Sequence, residues 1–105
     1  NSQDMDDYQK NAAETAIYSS KHAVIYPALG LAAEAGEVAN KVKKILRDGD
    51  FDRKAIADEI GDCLWYIAAL CRDLNVSMND VAKTNLHKLQ DRKKRGVISG
   101  SGDNR

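Results

Sequence analysis

The sequence predicts an all-α fold of four-helix-bundle type, and three observations lead there. Ala, Leu, Ile, Lys, Glu and Asp recur at three- and four-residue spacing through most of the 105 residues. A single proline and a low aromatic content leave little to favour strands, and no segment alternates as a half-buried strand would. Turn-forming and capping residues fall between the periodic stretches and divide them into four helical segments, read as one domain over residues 1–95.

The first segment runs from about Asp6 to His22, with Tyr8, Ala12, Ala16 and Ile17 facing inward. Its periodicity is the weakest of the four. Pro27 suits the first turn of the second helix, whose stripe of Leu31, Ala35, Val38, Val42 and Ile45 runs to the breaker Asp48-Gly49-Asp50. Asp52 can cap a third helix, with Ile56, Ile60, Leu64, Ile67 and Leu74 forming a stripe that ends near Asn75. Ser77 and Asp80 resemble a capping box with the shorter acid, and Val81, Leu86 and Leu89 supply the apolar positions of a fourth helix ending near Arg95. From Gly96 to Arg105 the tail is Gly/Ser-rich, lacks helical periodicity, and is expected to be flexible.

Composition limits the range of functions. A chain of 105 residues has no room for a second core of ordinary size. Sixteen Lys plus Arg balance sixteen Asp plus Glu, so overall charge gives no reason to expect a nucleic acid polymer or an anionic membrane as partner. Apolar stretches stop well short of the roughly 18 residues of a membrane span, and no secretory signal stands at the start, so a cytoplasmic location is expected. Cys63 and Cys71 lie eight residues apart in one predicted helix, about 12 Å along its axis, too far to pair. They read as free thiols of a reducing compartment.

The chemistry-bearing residues are carboxylates. Glu34 and Glu37 stand three apart on the second helix, and Glu59 and Asp62 three apart on the third, so each pair projects from one face, roughly 60° apart. Both pairs flank apolar stripe positions, which places them at the border of the core. Carboxylates gathered there repel one another and lose hydration unless protons or cations compensate. A divalent cation is the natural compensation, and all-oxygen ligation selects magnesium, with manganese as the substitute, over zinc. The competing reading is a set of surface salt bridges to Lys41, Lys43, Lys44 or Arg53. Two such pairs on successive helices joined by a short turn favour the metal reading.

Asn85, Lys88 and Arg92 follow at three- and four-residue spacing on the fourth helix and present a polar, doubly positive face suited to phosphate. A solvated basic face is the alternative. Tyr66, four residues after Asp62, points to the metal side and is a substrate-contact candidate; Lys41 is counted with it. Trp65 reads as core or subunit interface more readily than as a base platform. His22 and His87 have no sequence-evident orienting partner.

The string Leu29-Gly30-Leu31-Ala32-Ala33-Glu34-Ala35-Gly36-Glu37-Val38, followed by Asp58-Glu59-Ile60-Gly61-Asp62-Cys63-Leu64-Trp65-Tyr66, closely resembles the MazG-like family of all-α nucleoside triphosphate pyrophosphohydrolases. The likeness continues through Asn85, Lys88, Leu89 and Arg92, while the first helix and the tail match loosely. The resemblance implies a MazG-like fold assembled as a dimer or tetramer. It also implies Glu34, Glu37, Glu59 and Asp62 as magnesium ligands, and hydrolysis of a ribo- or deoxyribonucleoside triphosphate to the monophosphate and pyrophosphate, in nucleotide-pool control or house-cleaning. Tyr18 and His22 are only suggestive candidates for the base pocket. Two alternatives remain beside this one: a phosphoribosyl-ATP or dUTP-type pyrophosphatase of the same superfamily, and a non-catalytic helical interaction module.

Overall fold

The computed structural model describes residues 4–96. Four helices and one short 3-10 turn account for its regular structure: α1 (Met5–Ala13), the 3-10 turn Ser20–His22, α2 (Ile25–Asp48), α3 (Arg53–Asp73) and α4 (Met78–Lys94). No strand occurs among the described residues. The helix ends follow local chemistry. Asp4, Asp52 and Ser77 each accept a backbone N–H of the first turn of α1, α3 and α4, from Asp7 (2.8 Å), Ala55 (3.0 Å) and Asp80 (3.1 Å). Gly49 ends α2 in the left-handed region (φ 74°), where a residue without Cβ carries no steric penalty. Asn75, also at positive φ (59°), follows α3.

The start of α2 is different. Its preceding residue, Val24, offers no side-chain cap and has φ 70° and ψ −52°, with the Ile25 N–H donating to the Ala23 carbonyl at 2.8 Å. That is a γ-turn of the strained, positive-φ kind, at a β-branched residue where it costs about 1–3 kcal/mol.

Helices α2 and α3, about 36 and 31 Å long, form a hairpin across the short link at residues 49–52; α1 packs on α3, and α4 on α1. The buried cluster sits where α1, α3 and the start of α4 meet. Ala12, Ala68, Cys71 and Met78 are its interior, with Met5, Tyr8, Leu64, Trp65 and Ile67 packed around them. The Trp65 indole N–H donates to Thr15 Oγ1 (2.7 Å), and the Thr15 hydroxyl donates to the Ala12 carbonyl (2.7 Å). Polar bonds clasp α1 to the α3–α4 corner. Gln9 donates to the Val76 carbonyl (2.9 Å) and accepts the Met78 N–H (2.8 Å), while Asp6 accepts the Ser77 hydroxyl (2.8 Å) and the Asn79 N–H (3.1 Å).

Several expectations need correction. The first helix does not reach His22: it stops at Ala13, because the Thr15 hydroxyl is engaged by the Ala12 carbonyl and by Trp65, and the chain crosses to α2 instead. Ile17, expected inside, is 95% exposed. Ile60, Leu74, Val81 and Leu86 are exposed stripe positions too, as are Ala35 and Val42 on α2. The physical reason is shared: α2 meets chiefly α3 and α4 chiefly α1, so each apolar stripe is wider than the neighbour that covers it. The predicted tail lies, from residue 97, outside the described residues. Cys63 and Cys71 are free thiols, Cys71 buried. No helix among the described residues is long and apolar enough to cross a membrane.

Asp6 sits at the positive end of α4, and the Asn79 N–H, then the Ser77 hydroxyl, hold its pKa below the ordinary carboxylate value. A depressed folded-state pKa adds stability above the unfolded value, and that stability is lost as pH falls through the folded one. Asp6→Asn is therefore expected to lower the melting temperature at pH 7 and to approach wild type near pH ~3; thermal unfolding at both pH values checks it.

Candidate active site

The α2–α3 hairpin brings residues together at a constant register. Val24 meets Asp73, Gly30 meets Tyr66, and Glu34 meets Asp62. On α3, Asp62, Tyr66 and Asp73 fall on one face by their spacings of four and seven; on α2, Tyr26, Gly30 and Glu34 do so at steps of four.

Glu34, Glu59 and Asp62 form the acid group: one carboxylate oxygen from each lies within 4.8 Å of the others. Glu34 and Glu59 are half-buried and Asp62 is exposed. Glu34 bears the strain of that arrangement. Its pKa is raised, first by burial, then by a hydrogen bond with Glu59, then by the charges of Asp62, Glu59 and Glu37. Glu37 is exposed and stands outside the group of three, though its charge reaches Glu34. Three hard oxygen donors gathered this closely fit a magnesium- or manganese-sized cation.

Aromatic residues surround the acids. The Tyr66 ring lies against Gly30, where a Cβ would overlap it, so glycine at this point of α2 is what lets the ring approach. Burial first, then a hydrogen bond with Tyr26, then the charges of Glu34 and Asp62 raise the Tyr66 pKa, so its hydroxyl keeps its proton. Tyr26, 46% exposed, stacks on Tyr18 with ring centroids 4.8 Å apart. From α1, Tyr8 comes close enough for the Asp62 charge to reinforce the upward shift that its burial produces.

The other candidates are distributed differently. Lys41 is half-buried on α2. Asn85 and Lys88 line an open groove of about 560 Å³ with residues of the α3–α4 corner, including Asn75, Ser77 and Asp80, and none of the acids of the group is in its lining. Arg92 is buried. Trp65 is tied to Thr15 and packs in the core cluster. His22 and His87 are exposed. Tyr18, a base-pocket candidate from sequence, is engaged elsewhere: its hydroxyl donates to Asp73 at 2.7 Å and accepts from Arg72 at 3.0 Å.

Sequence reasoning missed Gly30, Tyr26, Tyr8 and Asp73. The steps of four and seven from Asp62 and Glu34 are the signal that could have found all but Tyr8.

Because the Glu34 pKa is raised, the folded chain holds that proton more tightly than the unfolded chain, and stability in the absence of metal falls as pH rises from the ordinary carboxylate value through the raised one. In chelator, Glu34→Gln is therefore expected to melt above wild type at pH 7, the gain vanishing as pH drops to about 4. Added magnesium should reverse the order. Melting curves with and without the ion check both halves.

A family model for the MazG nucleotide pyrophosphohydrolase domain matches residues 26–97, which takes in α3, α4 and nearly all of α2 and leaves α1 outside. The chain is also similar to the Gene 37 protein of Mycobacterium phage L5, 49% identical over 112 aligned positions covering 96% of this chain and 98% of the relative. No solved structure matches at a significant level. With the match extending over the whole acid-bearing hairpin beyond Ile25, the chain belongs to the MazG nucleotide pyrophosphohydrolase domain family.

Proposed function

We propose that the protein is a magnesium-dependent nucleoside triphosphate pyrophosphohydrolase that releases a nucleoside monophosphate and pyrophosphate, with manganese able to substitute. The observation that carries this reading is the convergence of Glu34, Glu59 and Asp62 in the hairpin of a MazG domain. In it, Glu34, Glu59 and Asp62 would hold the cation, with Glu37 extending the acidic surface by one turn of α2. Once bound, the cation would neutralise phosphate oxygens and lower the pKa of water.

The chain's own groups supply the rest. Water adds, the bridging P–O bond between the α and β phosphates breaks, pyrophosphate leaves with the bridging oxygen, and the water's proton passes to solvent. Tyr66, protonated and beside Glu34 and Asp62, can donate a hydrogen bond to substrate oxygen. Lys41, Asn85 and Lys88 are the polyphosphate contacts, each Lys a point charge, and Arg92, buried in the single chain, would offer its fork only after its side chain moved. No nucleophilic side chain is required.

Glu59→Gln is expected to lower pyrophosphate release by about a hundredfold or more, since even outer-shell changes at metal sites cost 10–100-fold, and to keep the fold. The assay is a panel of ordinary and modified ribo- and deoxyribonucleoside triphosphates, phosphoribosyl-ATP and dUTP included, with magnesium and with chelator. Wild-type rates in the variant would remove the metal assignment. Intact triphosphates throughout, with magnesium still raising the melting temperature, would favour a non-catalytic module.

Self-association belongs to the same reading. The radius of gyration is 16.4 Å, against about 13 Å for a compact chain of this size. On the hairpin, Leu46 is 90% exposed, and Val42, Phe51 and Ile60 are exposed with it. A second copy covering these residues removes apolar surface from water, and it offers a route for Asn85 and Lys88 of one copy to reach the acids of another. Sedimentation velocity is expected to show a dimer or larger species; a monomer throughout the micromolar range would sink this part.

A further inference from the structure

The buried Asp73–Tyr18–Val24 junction stands about 15 Å along α2 from the acids, and no role in the proposed reaction has yet been assigned to it. The Asp73 side chain is only 5% exposed. One of its oxygens accepts the Tyr18 hydroxyl (2.7 Å) and the Val24 N–H (2.9 Å), and the other accepts two N–H groups of Arg72 (3.2 and 3.1 Å). Every strong acceptor direction is used, which is what a carboxylate needs in order to stay charged in such a place.

The Val24 bond is the unusual one. It holds a strained γ-turn at the one α-helix start among the described residues that lacks a side-chain cap. Relaxation of that turn would let the first residues of α2 swing or slide against α3. The helix is continuous from Ile25 to Asp48, so a displacement at its start is carried to Glu34. The opposite end is already tied by the short link at residues 49–52.

We infer that Asp73 is a positioning residue: by clamping the strained Val24 turn and Tyr18 it fixes where α2 lies on α3, and so sets the separation of Glu34 from Glu59 and Asp62. It touches neither substrate nor cation. The stacked rings support the same placement, because Tyr18, pinned by Asp73, stacks on Tyr26, whose ring lies 6.3 Å from that of Tyr66, and Tyr66 in turn lies against Gly30. The inference rests on the metal reading proposed above, and the test is built to separate the two.

The experiment titrates manganese by electron paramagnetic resonance, without nucleotide, into wild type, Asp73→Asn, Val24→Gly and the double variant. Asp73→Asn is expected to bind manganese roughly tenfold more weakly, in the range for outer-shell changes. Turnover should need more magnesium, with kcat at saturating magnesium within about twofold of wild type. The Asp73→Asn penalty should shrink in the Val24→Gly background, since glycine adopts the turn without being held. A purely structural role would lower the melting temperature in both backgrounds and leave manganese affinity alone, and that result overturns the inference. Should Asp73→Asn fail to fold, Tyr18→Phe removes one bond to the same oxygen; a measurable loss of manganese affinity supports the clamp and an unchanged affinity refutes it. Manganese binding without turnover defeats the proposed reaction but not this inference, whereas no binding by wild type defeats both.

Discussion

Mutual repulsion among Glu34, Glu59 and Asp62 is the constraint around which the hairpin is organised. Three carboxylates whose oxygens lie within 4.8 Å, two of them half-buried, do not gather by their own attraction. Contacts elsewhere on the same two helices must hold them there. Above the acids, the Tyr66 ring against Gly30 sets how closely α2 approaches α3; beyond it, Tyr26, Tyr18 and Asp73 continue the contact to the start of α2. Helix propensity alone accounts for none of this. The acids resemble a spring held compressed by an aromatic seam, and a cation would be the natural means of releasing the load.

The remaining helices serve that hairpin unequally. α1 lies outside the family match, yet it supplies much of the buried cluster and brings Tyr8 into range of Asp62. It also carries the polar clasp of Asp6 and Gln9 on the α3–α4 corner. A small core of Ala, Cys and Met side chains gains little from apolar burial alone. Hydrogen bonds that fix direction, such as Trp65 to Thr15, therefore matter more than they would in a larger domain.

What could be read from sequence is what depends on neighbours in the chain. Asp52, Ser77 and Gly49 mark helix ends because a cap is satisfied within three or four residues. The approach of Glu34 to Glu59 and Asp62 was legible for a related reason: helical spacing put each acid beside an apolar stripe, and a short link forced the two helices to face each other. The end of α1 was not legible, since Trp65, fifty residues away, takes up Thr15. Ile17 and Ile60 look like core by period and are not, because period says which side of a helix is apolar and nothing about what covers it. Asp73 carries no local signal in the sequence, because its partners, Tyr18 and the Val24 N–H, are distant along the chain.

Gly30 and Tyr66 also bear on how this sequence is free to drift. Neither side of their contact changes alone without cost: a methyl group at residue 30 evicts the ring, while loss of the ring leaves a gap beside Glu34 and frees residue 30 to become alanine, a better helix former by about 1 kcal/mol. Descendants of this chain should thus change the two positions together, and a glycine retained at position 30 opposite a small residue would mark a lineage that lost its tyrosine recently.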